Sequence, residues 1–494
     1  MVDFPTNGLH GRCEITTPVE KITPENVVMV LTRALYIHSL NSNQIDYLYH
    51  YMRGEQPILN RVKQVRPEIC NKIVENHAAE ITQFTSGYFL GEPVTYVRRG
   101  DRQNTSEEIG TLNDYMFFED KASHDKDMAT WMAIGGVGYR MVLPDKSTQL
   151  GEDEAPFEID TPDPRYTFVV YHSGFGHRRV MGVRQIYREK GPDHLELVCC
   201  GYTPTHYFEV ENTQLTVWKE HNLGDIPIFE YRLNMARMGS FEPAVPMLDA
   251  INTIMSNRVD GVEQFVQSFL KFVNCEVDDE KVTMLQELGA IMIKSAPGVN
   301  ADVSIVSQEL NQQQTQTLVD YLYDQVLVIC GMPTSTKGGA STSDTGQAVF
   351  LRDGWSQCEA RARDTELLFK KSEKQFLRLV LHIIRETQEF NLSLSEVECK
   401  FTRRQHDNLQ SKTQALLSML DAGLHPEVAI ATCGLFNDPM DVTLQSKDYL
   451  RKWEYKPMQP TGAPEGDEDD GSDEESEDKS EEKSEKKDES GDET

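Results

Sequence analysis

The chain has 494 residues, a net charge of −31 and a hydrophobic content of 38%. The length allows about two to four domains and the composition suits a packed core. No apolar run approaches the roughly 18 residues of a membrane span; one of the longer ones, Leu377 to Ile384, is broken by Arg378 and His382.

The N-terminus, MVDFPTNGLHGRCE, lacks a basic stretch followed by an apolar one, so no secretory signal is read and the chain is expected in the cytoplasm. The nine cysteines contain no C-x-x-C, and Cys199 and Cys200 are adjacent, a pattern of free thiols.

In chain order, residues 24–55 read as an amphipathic helix opening at Pro24. Segment 66–86 reads as a second, with Ile69, Ile73, His77 and Ile81 four apart on one face and an end at Gly87. GYFLGEPVTYVRR reads as turn and strand, and residues 107–143 as two further helices and the strand GYRMVL. From 155 to 235, RYTFVVY, VMGVRQIYR, LELVCCGY, THYFEVE and QLTVWKE alternate or are rich in β-branched and aromatic residues, the pattern of an antiparallel β region.

Residues 246–272 then carry Leu248, Ile251, Met255, Val259, Val262, Val266 and Phe269 at helical steps. A rod of that length spans about 40 Å. Short strand-like runs follow to 307, then a helix over 309–330 and a very long one from Gly346 to about Phe390, with Gly354 as its expected bend. Rods this long leave apolar stripes that side-by-side copies could cover, which points to a ring or bundle.

Between the last two helices lies GMPTSTKGGASTSDTGQAVF, residues 331–350. It is not a phosphate-binding loop of the G-x-x-x-x-G-K-[ST] type, because Lys337 sits between Thr336 and Gly338. From its residues alone it reads equally well as an ordinary linker.

No H-E-x-x-H, G-x-S-x-G or G-x-G-x-x-G is present, and no nucleophile, base and orienting group converge, so an enzyme is disfavoured and no catalytic residue, cofactor or metal is assigned. His172 and His177 lie in a glycine-containing turn, and Asp145, Asp160 and Asp163 read as turn residues. Asp278, Asp279 and Glu280 form a carboxylate cluster that reads more simply as a solvated turn than as a cation site. Residues 465–494 hold 17 acids and four lysines with no hydrophobic residue, which predicts a disordered tail, either solvating or an electrostatic arm for a basic partner.

Several stretches together resemble the portal proteins of long-tailed, siphovirus-type bacteriophages. They are YHYMRGEQPI (49–58), NHAAEITQFTSGYFLGEPVTY (76–96), MATWMAIGGVGYRMV, the CGMPTSTK…STSDTGQAVF stretch, and LLSMLDAGLHPEVAIATCGLFNDPMDV. The resemblance spans roughly residues 40–450; GYFLGEP and the later Gly-x-Ala loop, in this order, are its specific part.

It implies an α+β, multidomain subunit of a twelve-membered ring. By this resemblance 1–245 is the wing, with helices and a β-rich region; 246–272 and 309–330 are the stem helices; and 273–308 is a small α/β clip. Residues 331–345 are the tunnel loop, 346–404 a long kinked helix returning to the wing, 405–455 a helical crown, and 456–494 the disordered acidic tail.

The implied role is a channel at one capsid vertex of the virion, assembled in the host bacterial cytoplasm, through which double-stranded DNA is packaged and ejected. The implied partners are copies of the chain, the terminase large subunit, a head–tail adaptor, and major capsid and scaffolding proteins, without a membrane. Thr336, Lys337, Gly338, Gly339, Ser341, Thr342, Ser343 and Asp344 would face the DNA, offering weak, replaceable hydrogen bonds and a single cation. Asp278, Asp279, Glu280 and Lys281 would face terminase or adaptor.

The acidic total fits DNA as cargo rather than as a tightly held ligand. Two other readings stand beside this one: a DNA-processing nuclease on a ring scaffold, with Asp278–Glu280 as its metal site, and a structural ring that passes no DNA.

Copies that each carry −31 repel one another, and salt screens that repulsion. Assembly is therefore expected to weaken as ionic strength falls. Sedimentation at about 10 and 500 mM salt checks this; equal assembly at both would contradict it.

Overall fold

The computed structural model describes residues 10–64, 66–99, 105–145, 151, 153–190, 195–266, 269–273, 302–306, 312–334, 355–401, 409–436, 442–443 and 445–450. The chain begins with a short strand β1 (Thr16–Thr17) and helix α1 (Val27–Met52). There follow α2 (His77–Phe89), β2 (Thr95–Arg98), α3 (Thr105–Phe118) and α4 (Lys121–Gly135). The strands β3 (Val137–Pro144), β4 (Phe157–Asp160), β5 (Thr167–His172), β6 (Arg179–Glu189), β7 (Leu195–Tyr202), β8 (His206–Glu211), β9 (Gln214–Glu220) and β10 (Ile228–Arg232) come next. Helix α5 (Val245–Val266) leads to β11 (Phe269–Val273), and β12 (Asp302–Val306) to α6 (Gln312–Cys330). The long helix α7 (Trp355–Thr387), strand β13 (Val397–Lys400) and helices α8 (Leu409–Asp421), α9 (Pro426–Cys433) and α10 (Lys447–Leu450) complete the order.

The alternating segments between 155 and 235 do form strands, divided between two sheets. Six strands run in the order β1-β5-β6-β7-β8-β9, and a separate three-stranded sheet has the order β10-β3-β4. The larger sheet is antiparallel except at β1, which adds parallel to β5. Helix α1 covers one face of this sheet through Val27, Val30, Leu31 and Ala34 against Phe168, Val170, Val183 and Phe208. Asp160, expected in a turn, ends strand β4 and pairs with Arg184 at 2.8 Å. Helix α4 stops at Gly136, where φ is +78° and a Cβ would stand 2.2 Å from the Arg237 carbonyl oxygen, so only glycine lets the chain turn into β3 there.

Two expected helices are shorter than their apolar periodicity suggests. Residues 66–76 are not helical; α2 starts at His77. The amides of 71, 73 and 75 are taken by side chains of α5, which leaves them unavailable for a helix. The helix expected over 246–272 ends at Val266, because Phe269–Val273 pairs antiparallel with Asp302–Val306. The short apolar run FLKFV suits that ladder as well as the end of a helix, because periodicity cannot separate the two over five residues.

Helix α7 is the axis of the largest core. Phe369, Phe376, Leu377, Val380 and Ile384 are buried against α3, α4, β3 and β10. After α7 the chain returns to the first half of the sequence, where β13 pairs antiparallel with β2.

In the middle of this apolar core lies a charged cluster. Glu373 Oε2 accepts from Arg140 Nη1 at 2.9 Å and from the Tyr231 hydroxyl at 2.6 Å. Its Oε1 accepts from the Tyr96 hydroxyl and faces Lys121 Nζ at 3.1 Å. Asp125 pairs with Lys121 at 2.6 Å and with Arg140. Two cations and two anions make the cluster neutral, and no side chain in these pairs is more than 3% exposed. Burial pushes the Glu373 carboxyl up, but Lys121 and Arg140 outweigh it and hold it down to about 2.

A carboxyl held below its unfolded value contributes stability that is complete above about pH 4.5 and is lost as pH falls toward 2. Glu373→Gln leaves a buried positive charge without its partner, so at neutral pH it is expected to cost about 3–5 kcal/mol in urea unfolding. The variant is also expected to lose less stability than the parent between pH 4.5 and 2. An unchanged midpoint at neutral pH would contradict this account.

Candidate assembly interface

The α5–α6 pair is built on an apolar seam. Leu248 and Ile251 of α5 are buried with Val319, Val326 and Leu327 of α6, and Phe241 and Tyr51 close the end of the seam. Arg258 of α5 bridges to α6 by donating to Gln312 at 2.6 Å and to Gln316.

The back of α5 carries a polar ladder. Asn252, Ser256 and Asp260 are four residues apart and all buried. They accept, in that order, from the backbone amides of Glu75 at 2.8 Å, Ile73 at 2.9 Å and Asn71 at 2.7 Å. Alternate residues of an extended strand repeat every ~6.6 Å and every fourth residue of a helix every ~6 Å, so the two periods match over three rungs. The strap formed by residues 71–75 thus runs antiparallel to α5. Arg61 and Lys63 each reach Asp260 at 3.0 Å. Burial alone would raise the Asp260 carboxyl, but the Asn71 amide and Lys63 hold it below the usual range. At the other end Tyr51 of α1 donates to Asp249 at 2.9 Å.

The residues expected to line a tunnel, Thr336, Lys337, Gly338, Gly339, Ser341, Thr342, Ser343 and Asp344, lie outside the described residues, as do the clip residues Asp278, Asp279, Glu280 and Lys281. The structure does describe what holds the two ends of each segment. For residues 335–354, Arg361 of α7 donates to the Ile329 carbonyl of α6 at 2.9 Å. Trp355 lies against Phe84 and Tyr88 of α2, and Tyr88 donates to Glu359 at 2.9 Å. For residues 274–301, the β11–β12 ladder joins both ends, with Val273 opposite Asp302.

One face of α6 is left uncovered by the other described residues. Leu318, Tyr321, Val328 and Ile329 are exposed, Tyr321 by 60%. Their steps of three, seven and eight residues put them on a single stripe. The stripe leads to a cavity of about 690 Å³ between α2, the end of α6, α7 and the 233–243 loop. Phe84, Tyr88, Met238 and Ile329 line it, with Met235 and Leu367 as exposed rim residues at 73% and 69%.

The expected turn histidines carry no metal geometry. His172 Nδ1 accepts from the Gly174 amide at 3.2 Å, and His177 lies 3.8 Å from Glu14. Among the described residues no group of three or more metal-ligating side chains converges. No described helix is long and apolar enough to cross a membrane. The described cysteines are free thiols, most of them buried.

A family profile described as "Phage portal protein, SPP1 Gp6-like" matches residues 32–448. The chain belongs to the SPP1 Gp6-like family of phage portal proteins. Among the solved structures similar to it are two particle necks. The first, described as the neck of an empty GTA particle computed with C6 symmetry, has 12% identity, a TM-score of 0.45, and covers 72% of this chain and 90% of that one. The second, the neck of a native GTA particle computed with C12 symmetry, has 11% identity, a TM-score of 0.43, and covers 72% and 89%. No curated protein matches.

In this portal-family chain, reading the sequence missed the strap because Ile69, Ile73, His77 and Ile81 mimic a helical face. The signal that could have found it is Asn252, Ser256 and Asp260, three short polar residues repeating every four positions along α5. His77 instead opens α2, where it meets Glu75 at 3.2 Å and Glu80 at 2.9 Å and packs on Tyr323.

Ser256→Ala removes the middle rung and is expected to cost about 1 kcal/mol. Hydrogen exchange should accelerate at the Ile73 amide while the Asn71 amide keeps its protection. Unchanged exchange at Ile73 would show that the strap is held by something other than this ladder.

Proposed function

We propose that copies of this chain assemble around an axis as a portal ring, the conduit for double-stranded DNA at one vertex of a phage capsid during packaging and ejection. Family membership supports this reading, and the observation that carries it is the apolar stripe of α6 that the described residues leave exposed, continuing to the cavity rim at Met235 and Leu367. A stripe running the length of a rod fits a lateral neighbour of the same shape, and a repeated heterologous contact closes into a ring. We take the number of copies as twelve.

In this reading α5 and α6 are the stem, and 273–308 is the clip that meets the terminase large subunit and later a head–tail adaptor. The β11–β12 ladder presents the clip from a fixed base, with Asp278, Asp279, Glu280 and Lys281 within it. Residues 334–345 brush the DNA. Their glycines and hydroxyls offer replaceable contacts, Lys337 is their one cation, and Asp344 limits grip. The tie from Arg361 to Ile329 and the packing of Trp355 on α2 keep both ends of that segment on the same base. Helices α8 to α10 form a crown, and the sheets with α1 to α4 and α7 form a wing that meets capsid and scaffolding proteins. The ring assembles in the bacterial cytoplasm and ends in the virion as a channel, not a catalyst.

Negative-stain images of the full-length protein test this directly. The expected result is rings with countable rotational symmetry and an axial opening of at least about 20 Å, wide enough for a duplex. Tyr321→Asp with Ile329→Asp puts a charge in each lateral contact and is expected to weaken association by about 30-fold or more per contact, leaving folded monomers by light scattering. A monomeric parent protein, or rings unchanged by the double substitution, would overturn the proposal.

A further inference from the structure

Helix α7 has a second face whose chemistry the ring does not use. Opposite the buried Glu373, the side chains of Lys371, Lys374 and Arg378 are exposed. Their steps of three and four residues align them on one stripe about 10 Å long. Among the described residues none of these three has an ion pair or hydrogen bond. The neighbouring cations of the same helix are engaged: Arg363 with Glu359 at 2.9 Å, Lys370 with Glu366 at 2.7 Å, and Arg361 with the Ile329 carbonyl. Three aligned cations with no partner among the described residues stand out in a chain with 80 acids and 49 basic residues.

We infer that this face of α7 is the docking surface for the acidic C-terminal segment of the chain itself, residues 465–494. That segment holds 17 acids and four lysines, the densest negative charge in the sequence. Leu450 is the last described residue, and residues 451–464 join it to the segment. Fourteen residues reach at most ~50 Å when extended, which sets how far the segment can range from Leu450. Tethering raises the local concentration of the segment to about the millimolar range. A free polyanion such as duplex DNA has no tether and must approach against the charge of an acidic surface. A docked segment would occupy the stripe as a built-in competitor, keeping DNA from being held on α7.

Zero-length carbodiimide cross-linking of the full-length protein, read by peptide mass spectrometry, tests this. The expected products are amides from Lys371 or Lys374 to carboxylates of 465–494, with yields falling at least about tenfold between 50 and 500 mM salt as screening grows. Arg378→Glu removes a cation without removing a cross-linkable amine; it is expected to lower those yields about fivefold while leaving the melting temperature within a degree or two, as for an exposed substitution. Cross-links from the segment to other lysines only, no such cross-links, or yields unaffected by salt or by Arg378→Glu would each overturn the inference. So would protection of Lys371 and Lys374 from acetylation by added duplex DNA in a protein whose C-terminal segment cross-links to neither.

Discussion

The structure is organised by the seat of α7. Glu373 receives an arginine, a lysine and two tyrosine hydroxyls at the centre of an apolar core, and those groups come from β2, α4, β3 and β10. Apolar packing alone would let a 33-residue helix slide or rotate by a small step at little cost. A buried carboxylate with four directional partners permits one register, because any shift leaves charges unpaired in a region shielded from solvent. Once that register is set, Arg361 stands at the end of α6, Trp355 stands against α2, Leu367 stands at the cavity rim, and the cations stand on the far side.

A second polar lock does the same for α5. The three-rung ladder fixes the extended strap to the helix, and the strap continues directly into α2. Helix α2 in turn carries Phe84 and Tyr88, against which Trp355 packs. The α5–α6 pair is therefore joined to the rest of the chain by directional bonds as well as by its apolar seam. A push on either rod would be felt at the base of the 335–354 segment, because α2 touches both.

The distribution of charge follows from the same division. Inside, charges are few and paired, and they specify position. Outside, acids outnumber bases and discourage a polyanion from settling. The α7 stripe is the exception.

The sequence by itself determined the class of most described stretches, helix or antiparallel strand, and the family resemblance through GYFLGEP and the Gly-x-Ala loop. These are local properties, set by periodicity and turn chemistry. Only the tertiary structure decided that residues 66–76 abandon a good helical pattern, that Phe269–Val273 leaves the α5 rod for a ladder, and that Lys121, Asp125, Arg140 and Glu373 meet. Each of those outcomes depends on a partner distant in the chain. An amide bonded to Ser256 from nearly two hundred residues away, or a strand closing over a segment, overrides a local preference worth a few tenths of a kcal/mol per residue. The four charges of the buried cluster look like surface residues in the sequence, because nothing nearby in the chain reveals that each will find its counter-charge.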